Sequence, residues 1–414
     1  MITSFAPSTK GSNNAYTFLF VLVILITVYS YFPSPVPDKW QFDAAKDGRN
    51  YTLSAEKCDQ AFPGFYHEID RALKWHTDNK KSLSVDDVAE AYTRESIRVV
   101  IYERQMYIID EDTGPHKNRA GSILLTMNRA IQGYSGDVPN VEFVLAVGDG
   151  PSKPNQWALT RKLGDSKHDS IWVMSDHGYW SWPVPLLGEY TQLRKEVEVA
   201  EPSWKDKIPK LVWRGVLGNA KVRDDLIAVT KGKEWSDVRS MTWAGKGGTE
   251  GATKETEDIA LHMVEQCNYK FLMYTEGSTY SGRFKYLHQC NSVIFTHELA
   301  WAELHGSLMK FDGPNQNMVL VKRDLSDLES KVQELLSNPA KGQAIAENNK
   351  RDFRDRYFTP AAQACYARKM IYSWSKIQTF KPELWTKSPA TAAHPQRMTT
   401  RGEPFETWLI KALL

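Results

Sequence analysis

The segment from Tyr269 to Thr296 constrains the fold of this chain more than any other. It runs from an apolar stretch, YKFLMY, through the polar stretch EGSTYSGRFKYL to a second apolar stretch, SVIFT. The apolar stretches predict buried strands at 269–274 and 292–296, and the residues from 283 to 290 predict a helix. Parallel strands need a connection of about a dozen residues, and this one is long enough. The segment therefore predicts a strand–loop–helix–strand unit of a parallel sheet.

Strands and helices alternate through the rest of this half of the chain. The hydrophobic pattern predicts strands at 210–214 and 317–321 and helices at 220–230 and 324–337. Upstream, the segments at 140–151 and 170–185 each predict a strand that opens into a loop, and 66–109 predicts helices with some strand at the end. We therefore expect an α/β protein of two lobes, divided near residue 205, with ligands at the carboxyl ends of strands.

The N-terminal forty residues predict a membrane anchor. Residues 15–32, AYTFLFVLVILITVYSYF, carry no charge, and as a helix they span about 27 Å, close to the ~30 Å hydrocarbon core. The run ends in aromatic residues and Pro33, which suits an interfacial belt better than a signal-peptide cleavage site. We expect a cytoplasmic tail at 1–14, a transmembrane helix at 15–32 and a stem at 33–57. The body would then be lumenal, in the Golgi or the endoplasmic reticulum, as in a single-pass type II protein.

Two further features agree with a lumenal body. Asn50 begins the glycosylation sequon NYT, just after a proline-rich stretch. The four cysteines allow two disulfides in three connectivities. Cys267 and Cys290 flank the strand–loop–helix segment, so we favour Cys267–Cys290, with Cys58–Cys365 as the remaining pair. Four buried free thiols are the alternative, and no CxxC pair indicates a zinc cluster.

The polar loop has the composition of an anion-binding turn. Small and hydroxylated residues fill it: Gly277, Ser278, Thr279, Ser281 and Gly282. Such a turn brings backbone N–H groups close to an anion at a helix N-terminus, and Arg283 and Lys285 add fixed positive charge. The spacing matches neither the P-loop nor the dinucleotide fingerprint. A plain polar turn with a surface arginine is the alternative. A net charge of +2 with scattered basic residues argues against nucleic acid as a partner.

Five segments resemble, in order, the motifs of glycosyltransferase family 90, which holds fungal capsule-associated xylosyltransferases and animal protein O-glucosyltransferases. They are VPNVEFVLAVGDGP (138–151), WVMSDHGYWSWPVP (172–185), LVWRGVLGNAKVRDDL (211–226), WSDV (235–238) and CNYKFLMYTEGSTYSGRFKYLHQCNSVIF (267–295). The resemblance extends from about Cys58 to the C-terminal RGEPFETW. Two positions depart from the family pattern: Val216 stands where a serine often follows Arg-Gly, and Ser175 replaces the proline of Met-Pro-Asp.

The resemblance implies an inverting transferase with the GT-B architecture, in which two Rossmann-like lobes enclose a cleft. It implies an acceptor and base lobe at 58–205, a UDP-sugar lobe at 206–350 and C-terminal helices at 351–414 that pack back on the first lobe. The donor would be a UDP-sugar, with xylose favoured and glucose possible, and the acceptor a hydroxyl of a glycan or glycoprotein. No metal or other cofactor is expected.

The resemblance also implies roles for particular residues. Asp149 would be the general base that takes the proton of the acceptor hydroxyl. Asp176 is a second carboxylate, either the base, a sugar ligand or an exposed turn residue. The residues expected to bind the UDP-sugar are Arg223, Gly277, Ser278, Thr279, Ser281, Gly282, Arg283 and Lys285. Those expected to bind the acceptor are Tyr179, Trp180 and Trp182, with the core of a lobe interface as the alternative for the tryptophans.

Two other readings remain open. Asp110 and Asp112 follow an apolar run, in the manner of the metal-dependent GT-A transferases, where carboxylates hold a hard cation on a diphosphate. Alternatively, the chain is a catalytically inactive, membrane-tethered protein that binds a glycan or UDP, or a partner of an active transferase. Dependence of activity on a metal distinguishes the first reading, and UDP binding without turnover distinguishes the second.

Overall fold

The computed structural model describes residues 40–182, 187–245, 251–387 and 397–413. The chain divides into two units, residues 1–42 and 43–414, and the account below concerns the second. The predicted tail and anchor and the first part of the stem lie outside the described residues. Among the residues that are described, none belongs to a helix both long enough and apolar enough to cross a bilayer.

The elements alternate between helix and strand along most of the chain. The helices of the described residues are α1 (Ala44–Asp47), α2 (Ala55–Ala61), α3 (His67–Asp78), α4 (Val85–Ala91), α5 (Lys117–Gln132), α6 (Tyr190–Ala200), α7 (Lys221–Thr230), α8 (Met263–Gln266), α9 (Phe284–Leu287), α10 (Leu328–Ser337), α11 (Pro339–Asn349), α12 (Pro360–Ser375) and α13 (Phe405–Leu413). The strands are β1 (Ser96–Tyr102), β2 (Gln105–Asp112), β3 (Val141–Ala146), β4 (Trp157–Ala158), β5 (Arg161–Lys162), β6 (Trp172–Val173), β7 (Ser181–Trp182), β8 (Gly188–Glu189), β9 (Ile208–Gly215), β10 (Ser236–Ser240), β11 (Tyr269–Tyr274), β12 (Val293–His297), β13 (Trp301–Ala302), β14 (Val319–Val321), β15 (Trp385–Lys387), β16 (Met398–Thr400) and β17 (Glu403–Pro404).

The first large sheet is mixed rather than fully parallel. Its order is β17-β2-β1-β3-β4-β6, with β1 antiparallel to both β2 and β3 and only β3, β4 and β6 parallel to one another. The antiparallel pair arises because Glu103 and Arg104 both have positive φ, 47° and 68°, as a two-residue hairpin turn requires. Asn140 supports the turn by accepting the backbone N–H of Glu103 at 2.8 Å.

The second large sheet is parallel, as the alternation of strands and helices predicts. Its order is β10-β9-β11-β12-β14. β11 has the predicted bounds, and β9 extends past the predicted 210–214 at both ends. Its core is formed by Trp213, Phe271 and Phe295 with the apolar side of α10. The predicted helix at 283–290 is shorter than expected, since α9 is a single turn.

Helix α12 packs on elements of the first sheet. The Trp374 indole donates to the backbone oxygen of Glu142 at 3.0 Å, and the Tyr366 hydroxyl donates to the backbone oxygen of Val173 at 2.7 Å. Trp157 meets Trp374 edge to face at 5.6 Å. A π-helix at Lys350–Tyr357 joins α11 to α12. The chain therefore returns to the first sheet after completing the second.

Both favoured disulfides are present. Cys58 and Cys365 join α2 to α12, with Cα atoms 5.6 Å apart. Cys267 and Cys290 join the residues just after α8 and α9, with Cα atoms 4.9 Å apart. The first ties the start of the body to its C-terminal helix, and the second clamps the segment that carries the polar loop.

Candidate active site

A cavity of about 260 Å³ lies beside the carboxyl ends of β9, β10 and β11. This is the edge at which parallel sheets bind ligands. Apolar side chains form much of its wall, including Val216, Met241 and Trp243, and three arginines also line it: Arg214, Arg223 and Arg283.

The three arginines differ in how their charge is compensated. Arg214 forms an ion pair with Asp237 at 2.9 Å. Arg223 is buried, and it donates only to backbone oxygens, those of Glu276 at 2.8 Å and Val216 at 3.0 Å. Arg283 is half-buried and donates to the backbone oxygen of Arg214 at 2.6 Å, and its Nε has no partner among the described residues.

Arg223 and Arg283 therefore bring two charges into the cavity wall without a carboxylate partner among the described residues. Burial lowers the pKa of both side chains, that of Arg283 to about 9 with a further contribution from Arg223. Both guanidinium groups lie over the Trp213 ring, at 6.0 and 5.3 Å from its centre. A buried charge without a counter-charge is costly, and an anionic ligand bound here relieves that cost.

The polar loop of residues 275–282 forms one wall of this cavity. The Gly277 N–H donates to the backbone oxygen of Thr279 at 3.1 Å, and the Ser281 N–H donates to the Tyr274 hydroxyl at 3.0 Å, so two of its donors are used to fold the loop. Ser278 is exposed and Gly282 is half-buried. Because α9 is only one turn long, the arginine side chains rather than a helix terminus supply most of the positive charge.

Asp149 lies beside the polar loop and is open to solvent. Its backbone oxygen accepts the Thr279 hydroxyl at 2.5 Å, so the two segments that the family resemblance singles out are in direct contact. Its side chain is 61% exposed, and Oδ1 accepts Arg119 at 2.7 Å. Oδ2 has no hydrogen-bond partner among the described residues. A carboxylate oriented through one oxygen, with the other accessible, is suited to take a proton from a bound hydroxyl.

Asp176 is buried, and it is therefore not the exposed turn residue that one reading of the sequence allowed. Its Oδ2 accepts Lys285 Nζ at 2.7 Å, and its Oδ1 accepts the Gly178 N–H at 2.7 Å. Desolvation raises the pKa of Asp176, but the Lys285 ammonium outweighs it and holds the pKa below its usual value. Lys285 Nζ also donates to the backbone oxygen of Gly282 at 2.5 Å. The pair thus joins the segment after β6 to the polar loop.

The aromatic residues assigned to the acceptor occupy three different environments. Tyr179 is buried and meets Tyr190 edge to face at 5.5 Å. Trp180 is half-buried beneath Arg129, whose guanidinium lies 3.7 Å from the ring centre. Trp182 lines the cavity itself. The structure brings only Trp182 of the three to the cavity wall.

Two residues near Asp149 escaped the sequence reasoning. Arg119, which orients the carboxylate, lies in α5 in a stretch without a recognisable motif. His177 is buried, neither ring nitrogen has a partner among the described residues, and burial lowers its pKa to about 3. Its ring meets Trp182 edge to face at 4.8 Å. Neither could be found from spacing, because both act through contacts between distant segments.

The residues of the remaining predictions are also placed. Asp110 and Asp112 lie in β2, and Asp110 is 3.7 Å from Arg98. Over the described ranges, no three His, Cys, Asp or Glu side chains converge as metal ligands would. Asn50 is half-buried, and its side-chain oxygen accepts the Thr52 hydroxyl at 2.7 Å.

Comparison with known proteins agrees with the motifs. The family model described as Glycosyl transferase family 90 matches residues 55–404. Among curated proteins, human Protein O-glucosyltransferase 1 is 26% identical over 262 residues, covering 59% of this chain and 64% of that protein. The O-glucosyltransferase rumi homolog of Aedes aegypti is 25% identical over 267 residues, covering 59% of this chain and 63% of that protein. The chain thus spans somewhat less than two thirds of the length of these relatives. Because the family model covers most of the chain, the chain belongs to glycosyl transferase family 90.

Proposed function

We propose that the protein is an inverting glycosyltransferase that moves a sugar from a UDP-sugar to a hydroxyl group of a glycan or glycoprotein. The observation that carries the proposal is the pair Arg223 and Arg283, which lines the cavity without a carboxylate partner among the described residues. A diphosphate is the ligand that this pair fits, because arginine binds it bidentately. The apolar wall around Val216, Met241 and Trp243 suits a nucleobase and ribose.

The proposed reaction is a single displacement. The oxygen of the acceptor hydroxyl attacks the anomeric carbon as the bond to the β-phosphate oxygen of UDP breaks, and the electron pair of that bond leaves with UDP. Asp149 takes the proton of the hydroxyl through its accessible Oδ2. Arg223 and Arg283 stabilise the charge that develops on the diphosphate, where other transferases use a metal ion. Attack from the face opposite the leaving group inverts the configuration.

Several assignments within this proposal rest on the family resemblance. Xylose is the favoured sugar and glucose the alternative, since the curated relatives are named O-glucosyltransferases. The two sheets, with a cavity at the strand ends of the second, are compatible with a GT-B arrangement. The two disulfides favour an oxidising compartment, in keeping with a lumenal body anchored by the segment 15–32.

The test measures UDP release by the full chain, purified in detergent. UDP-xylose and UDP-glucose are each supplied with mannose-containing oligosaccharides and with glycoprotein acceptors, with and without EDTA. We expect release that persists in EDTA and falls at least a hundredfold in Asp149→Asn. UDP binding, measured by calorimetry, should persist in Asp149→Asn and weaken at least tenfold in Arg283→Ala.

The controls separate the competing readings. Asp110→Asn should leave the release of UDP unchanged, because that residue plays no part in the proposed mechanism. Loss of activity in EDTA together with loss in Asp110→Asn would instead support a metal-dependent site in β2. UDP binding without turnover on any acceptor would favour the inactive binding protein.

A further inference from the structure

A second cavity, of about 410 Å³, lies on the other side of the polar loop from the features described above only in part. It is bounded by the start of α3, by β5 and by the chain segment 297–311, and its wall includes Arg161, Trp301, Glu303 and His305. None of these residues has a role in the proposed binding of UDP. The cavity is larger than the one that the arginines line, and the function proposed so far leaves it without a ligand.

This cavity adjoins the segment that carries the proposed base. The Trp301 ring comes within 3.9 Å of the position that a Cβ atom on Gly150 would occupy, and Gly150 directly follows Asp149. The Trp301 backbone N–H donates to Glu276 at 2.8 Å, which fixes β13 to the start of the polar loop. A ligand in the second cavity would therefore lie next to the Asp149 loop.

The polar groups that face this cavity are mostly uncharged or already paired. His305 is 2% exposed, and its Nδ1 has no hydrogen-bond partner among the described residues. Burial holds the pKa of His305 well below its usual value and raises that of Glu303 to about 8, so both are neutral at pH 7. Arg161 is paired with Glu68 at 2.7 Å. Glu298 is exposed at the rim.

An aromatic ring beside neutral hydrogen-bonding groups suits a neutral polyhydroxylated ligand. Trp301 is half-buried, so part of its ring is open to a ligand that packs against it. The His305 Nδ1 and the Glu303 carboxyl can each exchange a hydrogen bond with a hydroxyl, and an unmade hydrogen bond at a buried nitrogen is costly. A charged ligand would gain no counter-ion from these groups.

We infer that this cavity binds an uncharged sugar residue of the acceptor, and so holds the glycan beside Asp149. The inference rests on the proposed function, because it presumes that Asp149 receives the acceptor hydroxyl. It assigns Trp301 as the stacking surface and His305 as a hydrogen-bonding group for that residue. The Tyr274 hydroxyl, which donates to Glu303 at 2.9 Å and accepts the Ser281 N–H at 3.0 Å, links the second cavity to the polar loop.

The experiment uses saturation-transfer NMR on the full chain with saturating UDP, so that the first cavity is occupied. The probes are methyl glycosides of mannose, galactose, xylose and glucose, with methyl glucuronoside as a charged probe. We expect at least one neutral glycoside to bind, with affinity reduced at least fivefold in Trp301→Ala and largely kept in Trp301→Phe. Trp385→Ala is the matched control, because Trp385 is 53% exposed in β15. If Trp301→Ala does not fold, Leu163→Arg at the exposed rim of the cavity replaces it.

The outcomes separate this inference from the proposed function. UDP affinity is measured in the same samples, and failure of the wild type to bind UDP would overturn the proposed function itself. If UDP binds but no neutral glycoside does, or if binding is unchanged in both cavity variants, the inference is wrong and the proposed function stands. A polypeptide acceptor that alone loses affinity in Trp301→Ala would likewise overturn the assignment to a sugar.

Discussion

At the scale of single residues, the ion pair of Asp176 and Lys285 gives the clearest prediction. The two side chains are 5% and 3% exposed, so neither can find water when its partner is removed. Removing one member of a buried pair typically costs about 3–5 kcal/mol. Asp176→Asn should therefore lower the free energy of unfolding by about that amount, as measured by urea denaturation.

The double variant Asp176→Asn with Lys285→Met is the control for this prediction. It removes the unpaired ammonium and should recover part of the lost stability. If Asp176→Asn instead keeps the stability of the wild type and loses only turnover, Asp176 acts in the chemistry rather than in holding the polar loop.

Glu303 predicts a characteristic dependence of stability on pH. Its pKa rises from 4.5 to about 8 on folding, mainly because it is buried. The folded state therefore holds the proton more tightly, so stability is greatest below pH 4.5 and falls as the pH rises towards 8. With about 1.4 kcal/mol per pKa unit, the loss between pH 5 and pH 8 is on the order of a few kcal/mol.

Glu303→Gln should remove this contribution and make the variant relatively more stable at pH 8 than at pH 5. Glu298→Gln changes the same charge at an exposed position and should leave the pH dependence of the wild type unaltered. Urea denaturation at the two pH values measures both, and equal slopes in the wild type and Glu303→Gln would contradict the prediction.

Gly215 predicts a loss of donor binding from a single methyl group. A Cβ atom there would lie 2.4 Å from the Trp213 ring and 2.9 Å from Arg283 Nη2, so one of them must move. A hydrogen bond to a charged group contributes about 1.5–3 kcal/mol, and Gly215→Ala should weaken UDP binding roughly tenfold or more. Gly121→Ala, whose Cβ would meet only Leu409 at 3.5 Å, should bind UDP as the wild type does.

At the scale of secondary-structure elements, the sequence predicts the second sheet better than the first. Each strand of the parallel sheet is a buried run between polar loops, so its pattern is local. The hairpin of β1 and β2 was missed because its turn, Glu103–Arg104, contains none of the glycine or asparagine that usually marks positive φ. The pair Asp176–Lys285 was also missed, because the tertiary fold alone brings two residues 109 positions apart together.

The two disulfides predict unequal contributions to stability. They close segments of 23 and 307 residues, and the cost of closing a loop in the unfolded chain grows with its length. Removing Cys267–Cys290 by serine substitution should cost about 3 kcal/mol, and removing Cys58–Cys365 should cost more. Urea denaturation of the two double-serine variants tests the order, and a larger loss for the shorter segment would contradict the entropic argument.

At the scale of the whole molecule, the contacts between the two sheets predict that residues 43–414 unfold in one transition. Helix α12 returns to the first sheet after the second is complete, and the Cys58–Cys365 disulfide fixes that return. The ion pair of Asp176 and Lys285 and the hydrogen bond from Thr279 to Asp149 add two further links. One sheet therefore has little freedom to unfold while the other stays folded.

Calorimetry of the full chain should accordingly show one main transition that moves as a whole when UDP is added. A ligand at one hundred times its dissociation constant stabilises the folded state by about 2.7 kcal/mol, and Arg283→Ala should show a smaller shift at the same UDP concentration. Two separate transitions, of which only one responds to UDP, would mean that the sheets unfold independently. In that case the Asp176→Asn variant should leave the UDP-responsive transition unchanged, whereas a cooperative molecule loses stability in its single transition.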